Sequence, residues 1–139
     1  MNELIAKASV TINSPKDIVW DAITNPAIVK QYFFGTEVVS DWKTGSTITY
    51  KGMWEGKPYE DPGKIIKIKK EKLLEFDHRS GKDKDIPESY HRVIFELTPI
   101  DNKTTVTITQ DNNKTEDDQT HSEQLWKTVL DGMKRILEK

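Results

Sequence analysis

The chain has 139 residues and a mass of 16.0 kDa, which fits one domain able to bury a hydrophobic core. Lys and Arg total 21 against 23 Asp and Glu, and this near balance argues against a dedicated nucleic-acid binder. Cysteine is absent, which excludes disulfides, thiolate metal sites and cysteine nucleophiles. The N-terminal residues contain no apolar run long enough for a signal peptide, and no window approaches the ~20 apolar residues of a membrane span. We therefore expect one domain over residues 1–139, located in the cytoplasm.

The N-terminal part of the chain predicts one strand followed by two short helices. Apolar and polar residues alternate over Ala6–Ile12, which is typical of a half-buried strand. Ser14 and Pro15 form a helix start signal, with Ser14 as the cap and Pro15 at the first helical position. The pair Asn25–Pro26 repeats the signal, so a second short helix is predicted over Ala27–Phe33.

The middle of the chain contains six further segments with strand character. Glycines and polar turns separate them, so we expect antiparallel pairing. The predicted strands are Thr36–Ser40, Ser46–Met53, Lys64–Lys70, Lys72–Arg79, Tyr90–Pro99 and Thr104–Gln110.

The C-terminal part changes to a helical period. Its start is left open between Thr115 and Thr120, because an acidic residue follows each of them three positions later. This long helix is the only predicted element large enough to cover one face of a sheet. Its apolar face consists of Leu125, Trp126, Val129, Leu130, Met133, Ile136 and Leu137.

Several motifs occur along this order of elements. They are Val19-Trp20-Asp21-Ala22-Ile23-Thr24-Asn25-Pro26, Gln31-Tyr32-Phe33, Asp41-Trp42-Lys43-Thr44-Gly45-Ser46, Gly52…Trp54…Gly56-Lys57, Asp61…Gly63-Lys64-Ile65 and Leu125-Trp126…Val129-Leu130…Met133-Lys134. Over essentially the whole chain, the sequence resembles the START-like (SRPBCC, helix-grip) superfamily, and within it the branch similar to the activator of heat shock protein 90 ATPase. The resemblance implies an α+β fold, in which a curved antiparallel sheet wraps around the long C-terminal helix and two short helices follow the first strand.

The inner face of the sheet is predicted to be apolar at one end and polar at the other. Two consecutive strands are expected to form a hairpin that places Phe76 opposite Val93 and His78 opposite His91. The next strand brings Gln110 to the same face. A space with apolar walls and a few polar groups is the usual layout of a small-molecule pocket.

The sequence therefore predicts a binding site for a small apolar ligand, aromatic or lipid-like, between the sheet and the C-terminal helix. Three polar residues, His78, His91 and Gln110, are expected to orient the polar group of the ligand. The candidate ligand-binding residues are Phe33, Tyr50, Trp54, Phe76, His78, His91, Val93, Phe95, Gln110, Leu125 and Val129.

No catalytic residue, metal site or cofactor is assigned from the sequence. It has no nucleophile elbow, phosphate loop or dinucleotide fingerprint. The two histidines His78 and His91 are potential metal ligands, but no third ligand stands at a definite spacing.

Two alternatives to ligand carriage follow from the resemblance. One is a polyketide-cyclase-like enzyme, which would be favoured by His78 or His91 hydrogen-bonded to a carboxylate inside the cavity. The other is an interaction protein that contacts a chaperone, as the family name implies, and an exposed apolar patch would favour it. The expected assembly is a monomer or a weak dimer.

Overall fold

The computed structural model describes residues 4–138, with the backbone but not the side chain of Trp54. Within this part of the chain, seven strands and three α-helices follow in the predicted order. The strands are β1 (Ala6–Ile12), β2 (Glu37–Ser40), β3 (Thr47–Trp54), β4 (Lys57–Lys69), β5 (Leu73–His78), β6 (His91–Ile100) and β7 (Lys103–Gln110). The helices are α1 (Lys16–Thr24), α2 (Pro26–Tyr32) and α3 (Glu116–Leu137), and a short 3-10 helix spans Pro87–Ser89.

The seven strands form one antiparallel sheet in the order β1-β7-β6-β5-β4-β3-β2. The predicted register is confirmed, since Phe76 lies opposite Val93 and His78 opposite His91. In β7, Gln110 pairs with Val93 on one side and with β1 on the other. The register is strongly specified because a shift by one residue would turn the apolar side chains of these strands toward solvent.

Helix α3 covers the inner face of the sheet, as the fold class predicts. The side chains of Trp126, Val129, Leu130 and Met133 are buried there. Leu125, predicted on the same apolar face, is instead 38% exposed, because it lies on the side of α3 that borders a surface cleft. Among residues 4–138, no helix has both the length and the apolar content needed to cross a bilayer.

The starts of two helices answer one open question of the sequence analysis and correct one of its predictions. The side chain of Thr115 accepts a hydrogen bond from the backbone N–H of Asp118 at 3.1 Å, so α3 begins after Thr115 and Thr120 lies inside the helix. The predicted Ser14 cap is wrong, because Ser14 is buried against β7 and its carbonyl accepts from the Thr104 hydroxyl at 2.9 Å. Pro15 takes the capping position without a side-chain hydrogen bond.

Strand β4 starts seven residues earlier than the predicted strand, at Lys57 rather than Lys64. Its N-terminal half pairs with β3 through a two-residue turn, in which Glu55 and Gly56 both have positive φ. At Gly63 a Cβ atom would lie 1.8 Å from the backbone oxygen of Asp77, so only glycine fits where β4 passes β5.

Helix α2 is held close to α3, and this contact positions the residue that follows it. A Cβ atom at Gly132 of α3 would lie 3.2 Å from the Tyr32 Cβ, so the two helices approach at a glycine. The Tyr32 hydroxyl donates to the carbonyl of Ala22 at 2.8 Å, which ties α2 to α1. As a result Phe33, at the end of α2, projects between the sheet and α3.

Candidate functional site

Five aromatic side chains form a closed circuit between the sheet and α3. Phe33 stacks on Tyr50 with ring centroids 5.4 Å apart, and Tyr50 lies 5.7 Å from Phe76. Phe76 lies 6.1 Å from Phe95, and the Trp126 ring closes the circuit at 5.8 Å from both Phe95 and Phe33. These spacings are those of favourable aromatic pairs, so the circuit forms a continuous apolar wall.

The circuit contains four of the predicted ligand-binding residues and one that the sequence analysis placed only in the core. Trp126 was assigned to the apolar face of α3, yet its ring joins Phe33 to Phe95. Burial raises the pKa of the Tyr50 hydroxyl, which is therefore neutral at physiological pH. The aromatic circuit thus carries no charge.

Gln110 lies at the polar end of the inner face, and its side chain is fully hydrogen-bonded. Its Oε1 accepts from the Trp126 indole N–H at 2.8 Å. Its Nε2 donates to the Ser122 hydroxyl at 3.2 Å and to Asn113 Oδ1 at 3.4 Å. Gln110 therefore fixes the orientation of Trp126, a role that the sequence does not reveal because it depends on how α3 packs across the sheet.

His91 lies beside this network and has one ring nitrogen engaged. Its Nδ1 is 2.9 Å from the backbone oxygen of Asp111, which can only accept, so Nδ1 carries the proton. In the neutral ring, Nε2 is then a hydrogen-bond acceptor. This partner is a backbone carbonyl rather than a carboxylate.

His78 has no such partner. Its ring lies 5.8 Å from that of His91 and 5.9 Å from that of Phe76. Both ring nitrogens are out of contact with solvent and have no hydrogen-bond partner among the described residues. An unsatisfied buried polar group costs roughly 1–3 kcal/mol. Burial, with a smaller contribution from His91, lowers the pKa of His78 to about 4, so its ring is neutral at physiological pH.

Two surface clefts open beside these residues. The first, here called the Phe33 cleft, has a volume of about 370 Å³ and contains residues that the sequence analysis missed. Its lining residues are Phe33, Phe34, Thr36, Tyr59, Asp61, Ser80, Lys82, His121 and Leu125. The hydroxyls of Thr36 and Tyr59 are hydrogen-bonded to each other, and Tyr59 was missed because its strand was predicted to start later.

The second cleft, here called the His91 cleft, has a volume of about 500 Å³. It lies between α3 and the loop before β6, and it shares His121 with the Phe33 cleft. Its polar lining includes His91, Gln110 and Ser122. Both volumes fall in the range of small-molecule sites.

The structure brings most of the predicted site residues into one region. Val93 and Val129 are fully buried beside the aromatic circuit, and Leu125 lies at the Phe33 cleft. The side chain of Trp54 lies outside the described residues. Within the described part of the chain, no three His, Asp or Glu side chains converge as metal ligands.

Comparisons with known proteins agree with this architecture. The family model described as "Activator of Hsp90 ATPase homolog 1-like protein" matches residues 13–138. The solution structure of ChR145 from Cytophaga hutchinsonii is 48% identical, with 99% of this chain and 97% of that chain covered and a TM-score of 0.85. No curated protein matches the chain at a significant level.

Two more distant structures share the fold. The Aha1 dimer from Colwellia psychrerythraea is 22% identical, with 96% of both chains covered and a TM-score of 0.74. DynU16, a protein of the dynemicin biosynthetic locus, is 19% identical with a TM-score of 0.84, and the alignment covers 99% of this chain but 48% of DynU16. At these identities the likeness concerns the fold alone.

Proposed function

Because the chain belongs to the family of activator of Hsp90 ATPase homolog 1-like proteins, we propose that it binds a small apolar ligand between its sheet and α3. The fold is an α+β helix-grip fold, which suits such a role but does not specify the ligand. The specific argument comes from the geometry of the site.

The main observation behind the proposal is that Phe33 belongs both to the aromatic circuit and to a surface cleft. One part of its ring contacts Tyr50 and Trp126 in the aromatic circuit. The same side chain lines the Phe33 cleft at the surface. Phe33 therefore separates solvent from the apolar interior, and its displacement would open a path between them.

The backbone after Phe33 supports such a movement. Phe34 has φ of 55° and Gly35 has φ of 73°, so two consecutive residues adopt the left-handed conformation. This conformation is unfavourable for a bulky residue such as Phe34. A rearrangement of the turn would release this strain and swing Phe33 away from Tyr50.

A ligand in this position would contact the predicted residues in a defined way. Its apolar body would lie against Tyr50, Phe76, Val93, Phe95 and Val129, with Leu125 at the entrance. Binding would be driven by burial of apolar surface, at ~25 cal/mol per Å² before the costs of association. The Gln110 side chain is already engaged, which leaves the polar group of the ligand to His78 and His91.

Thermal melting against flavonoids, fatty acids, sterols and polyketide-like aromatics tests the proposal. A ligand that binds only the native state raises the melting temperature in a dose-dependent manner. The matched variants are Leu125→Asp at the cleft and Ile100→Asp, whose side chain is exposed at the opposite end of β6. We expect the shift to persist in Ile100→Asp and to be lost in Leu125→Asp. Absence of a shift with every class, or equal shifts in both variants, would contradict the proposal.

A chaperone contact is the second candidate function. Phe34 and Met53 are 43% and 60% exposed, and both line a surface groove with Pro58. Large exposed apolar side chains that lie together are typical of interaction surfaces. Stimulation of a purified bacterial Hsp90 ATPase by the wild type, lost in Met53→Lys, would support this function. The cyclase alternative has no comparable support, since His91 is held by a backbone carbonyl.

A further inference from the structure

The strongest unexplained feature of the molecule is the unpaired ring of His78. Its two nitrogens are enclosed by protein and meet no donor or acceptor among the described residues. Buried polar groups in folded proteins are almost always hydrogen-bonded, so each exception calls for an explanation. Gln110, two strands away on the same face, shows the ordinary outcome, because every polar atom of its side chain has a partner.

The surroundings of His78 define what could pair with it. On one side the Phe76 ring connects it to the aromatic circuit. On β6 its partner is His91, whose ring lies 5.8 Å away without a hydrogen bond to it, and on β4 its partner is Gly63, which contributes no side chain. The ring therefore stands at the end of an apolar wall, with hydrogen-bonding capacity that the protein does not use.

We propose that His78 is the polar anchor of the bound ligand, and that this ligand is an uncharged aromatic molecule whose hydroxyl group donates a hydrogen bond to the His78 ring. This inference rests on the proposed function. A neutral imidazole always keeps one nitrogen as an acceptor, which a hydroxyl donor satisfies directly. The neighbouring rings of Tyr50, Phe76 and Phe95 offer an aromatic surface, which suits an aromatic body.

The charges near the site argue against a carboxylate at this anchor. The guanidinium of Arg79, next in sequence, is turned toward the following loop, where Nη1 donates to the carbonyl of Asp83 at 3.0 Å. Its Nε makes no hydrogen bond among the described residues but lies 3.7 Å from the Asp85 carboxylate, which balances its charge. Lys114, in the His91 cleft, donates to the carbonyl of Glu88 at 3.0 Å. Lys82 lines the Phe33 cleft together with Asp61, so that rim carries both signs of charge. A buried carboxylate without a cation is strongly disfavoured.

Three naphthalene probes separate the possible recognition modes. 2-Naphthol carries a hydroxyl donor, 2-methoxynaphthalene has the same body without a donor, and 2-naphthoate carries a charge. Their affinities are measured by calorimetric titration at neutral pH against wild type and His78→Phe. The variant His78→Gln keeps a donor and an acceptor, and it serves as a second test should His78→Phe fail to fold.

We expect wild type to bind 2-naphthol about tenfold more tightly than 2-methoxynaphthalene, as one hydrogen bond to a buried acceptor predicts. His78→Phe should lose this preference while its affinity for 2-methoxynaphthalene is unchanged. His78→Gln should keep part of the preference. On binding of 2-naphthol, the ring ¹⁵N resonances of His78 should shift.

Two results would overturn the inference in distinguishable ways. Equal binding of the first two probes, with no effect of either His78 variant, would reject the anchor and leave the proposed function standing. Tighter binding of 2-naphthoate that is lost in Lys82→Ala would place the polar group at the rim and reject the anchor as well. No binding of any probe to wild type would reject both the anchor and an aromatic ligand site.

Discussion

The two ends of the inner face of the sheet differ in how completely their side chains are buried and hydrogen-bonded. Toward the C-terminus of α3, Leu130 and Met133 are fully buried in the same core as Ile12. Toward its N-terminus, Leu125 is partly exposed beside a cleft and His78 has no hydrogen-bond partner among the described residues. The first end is closed hydrophobic core, whereas the second contains a surface cleft and a buried ring without a hydrogen-bond partner among the described residues.

A finer comparison within the polar end shows that a buried polar residue is not by itself a functional signal. Gln110 and His78 both point inward from the same end of the sheet. Gln110 is satisfied by Trp126, Ser122 and Asn113 and so specifies the packing of α3. His78 lacks such partners, and this difference makes it the better candidate for contact with a ligand.

The largest expected effect comes from a charge placed in the buried aromatic circuit between the sheet and α3. Phe95 is 2% exposed, so Phe95→Asp would bury an unpaired carboxylate and should abolish folding. The control is Ile94→Asp, because the side chain of Ile94 lies on the opposite face of the same strand. Circular dichroism melting checks both variants. A folded Phe95→Asp protein with unchanged melting would contradict the assignment of the inner face.

Alanine substitutions of two leucines test the contrast between the two ends of α3. Leu130→Ala removes a fully buried side chain and should cost about 2–5 kcal/mol of unfolding free energy. Leu125→Ala makes the same chemical change at a partly exposed position and should cost less than about 1 kcal/mol. Urea denaturation measures both values. Equal losses would show that the cleft end is packed as tightly as the core.

The contrast between Gln110 and His78 predicts that replacing each of them with an apolar residue has opposite effects on the free energy of unfolding. Gln110→Leu leaves the indole N–H of Trp126 without its partner and should destabilise the fold by about 1–3 kcal/mol. His78→Phe removes two unsatisfied nitrogens and should be neutral or stabilising. Urea denaturation at pH 7.5 (~1 unit above the usual histidine pKa) compares the two. A large loss in His78→Phe would mean that His78 is paired in solution.

The smallest effect concerns the start of α3. Thr115→Ala removes the cap and should cost about 1 kcal/mol. Thr120→Ala changes an exposed residue inside the helix, where alanine is the better helix former, and should be neutral or slightly stabilising. Equal effects on the free energy of unfolding would indicate that the helix begins later than Thr115.

The fold was largely predictable because its patterns are local. The alternation in β5 and β6, joined to the chain order, placed His78 opposite His91. The start of β4 was not predictable, since Pro58 and Pro62 mask a strand that exists through its pairing with β3. Leu125 was assigned to the covered face because helical periodicity does not show where a sheet ends.

The sequence predicted which residues lie in the candidate site better than it predicted the contacts that they make. Phe33, Phe76 and Phe95 were predicted as ligand-binding residues, and the structure places them in one aromatic circuit with Tyr50 and Trp126. The hydrogen bond between Gln110 and Trp126 depends on how α3 packs across the sheet, which the sequence pattern does not show. Whether His78 finds a hydrogen-bond partner depends on the positions of all the side chains around it. No sequence pattern shows that it has none among the described residues.

The most direct test of the central claim is the pH dependence of the difference in unfolding free energy between wild type and His78→Phe. Burial lowers the pKa of His78 from its usual 6.5 to about 4 in the folded state, so protons bind the unfolded chain more tightly. Wild type should lose stability relative to the variant as the pH falls from about 6.5 to about 4, by roughly 2–3 kcal/mol. A difference that stays constant over this range would show that His78 is solvated or paired, and would contradict the account.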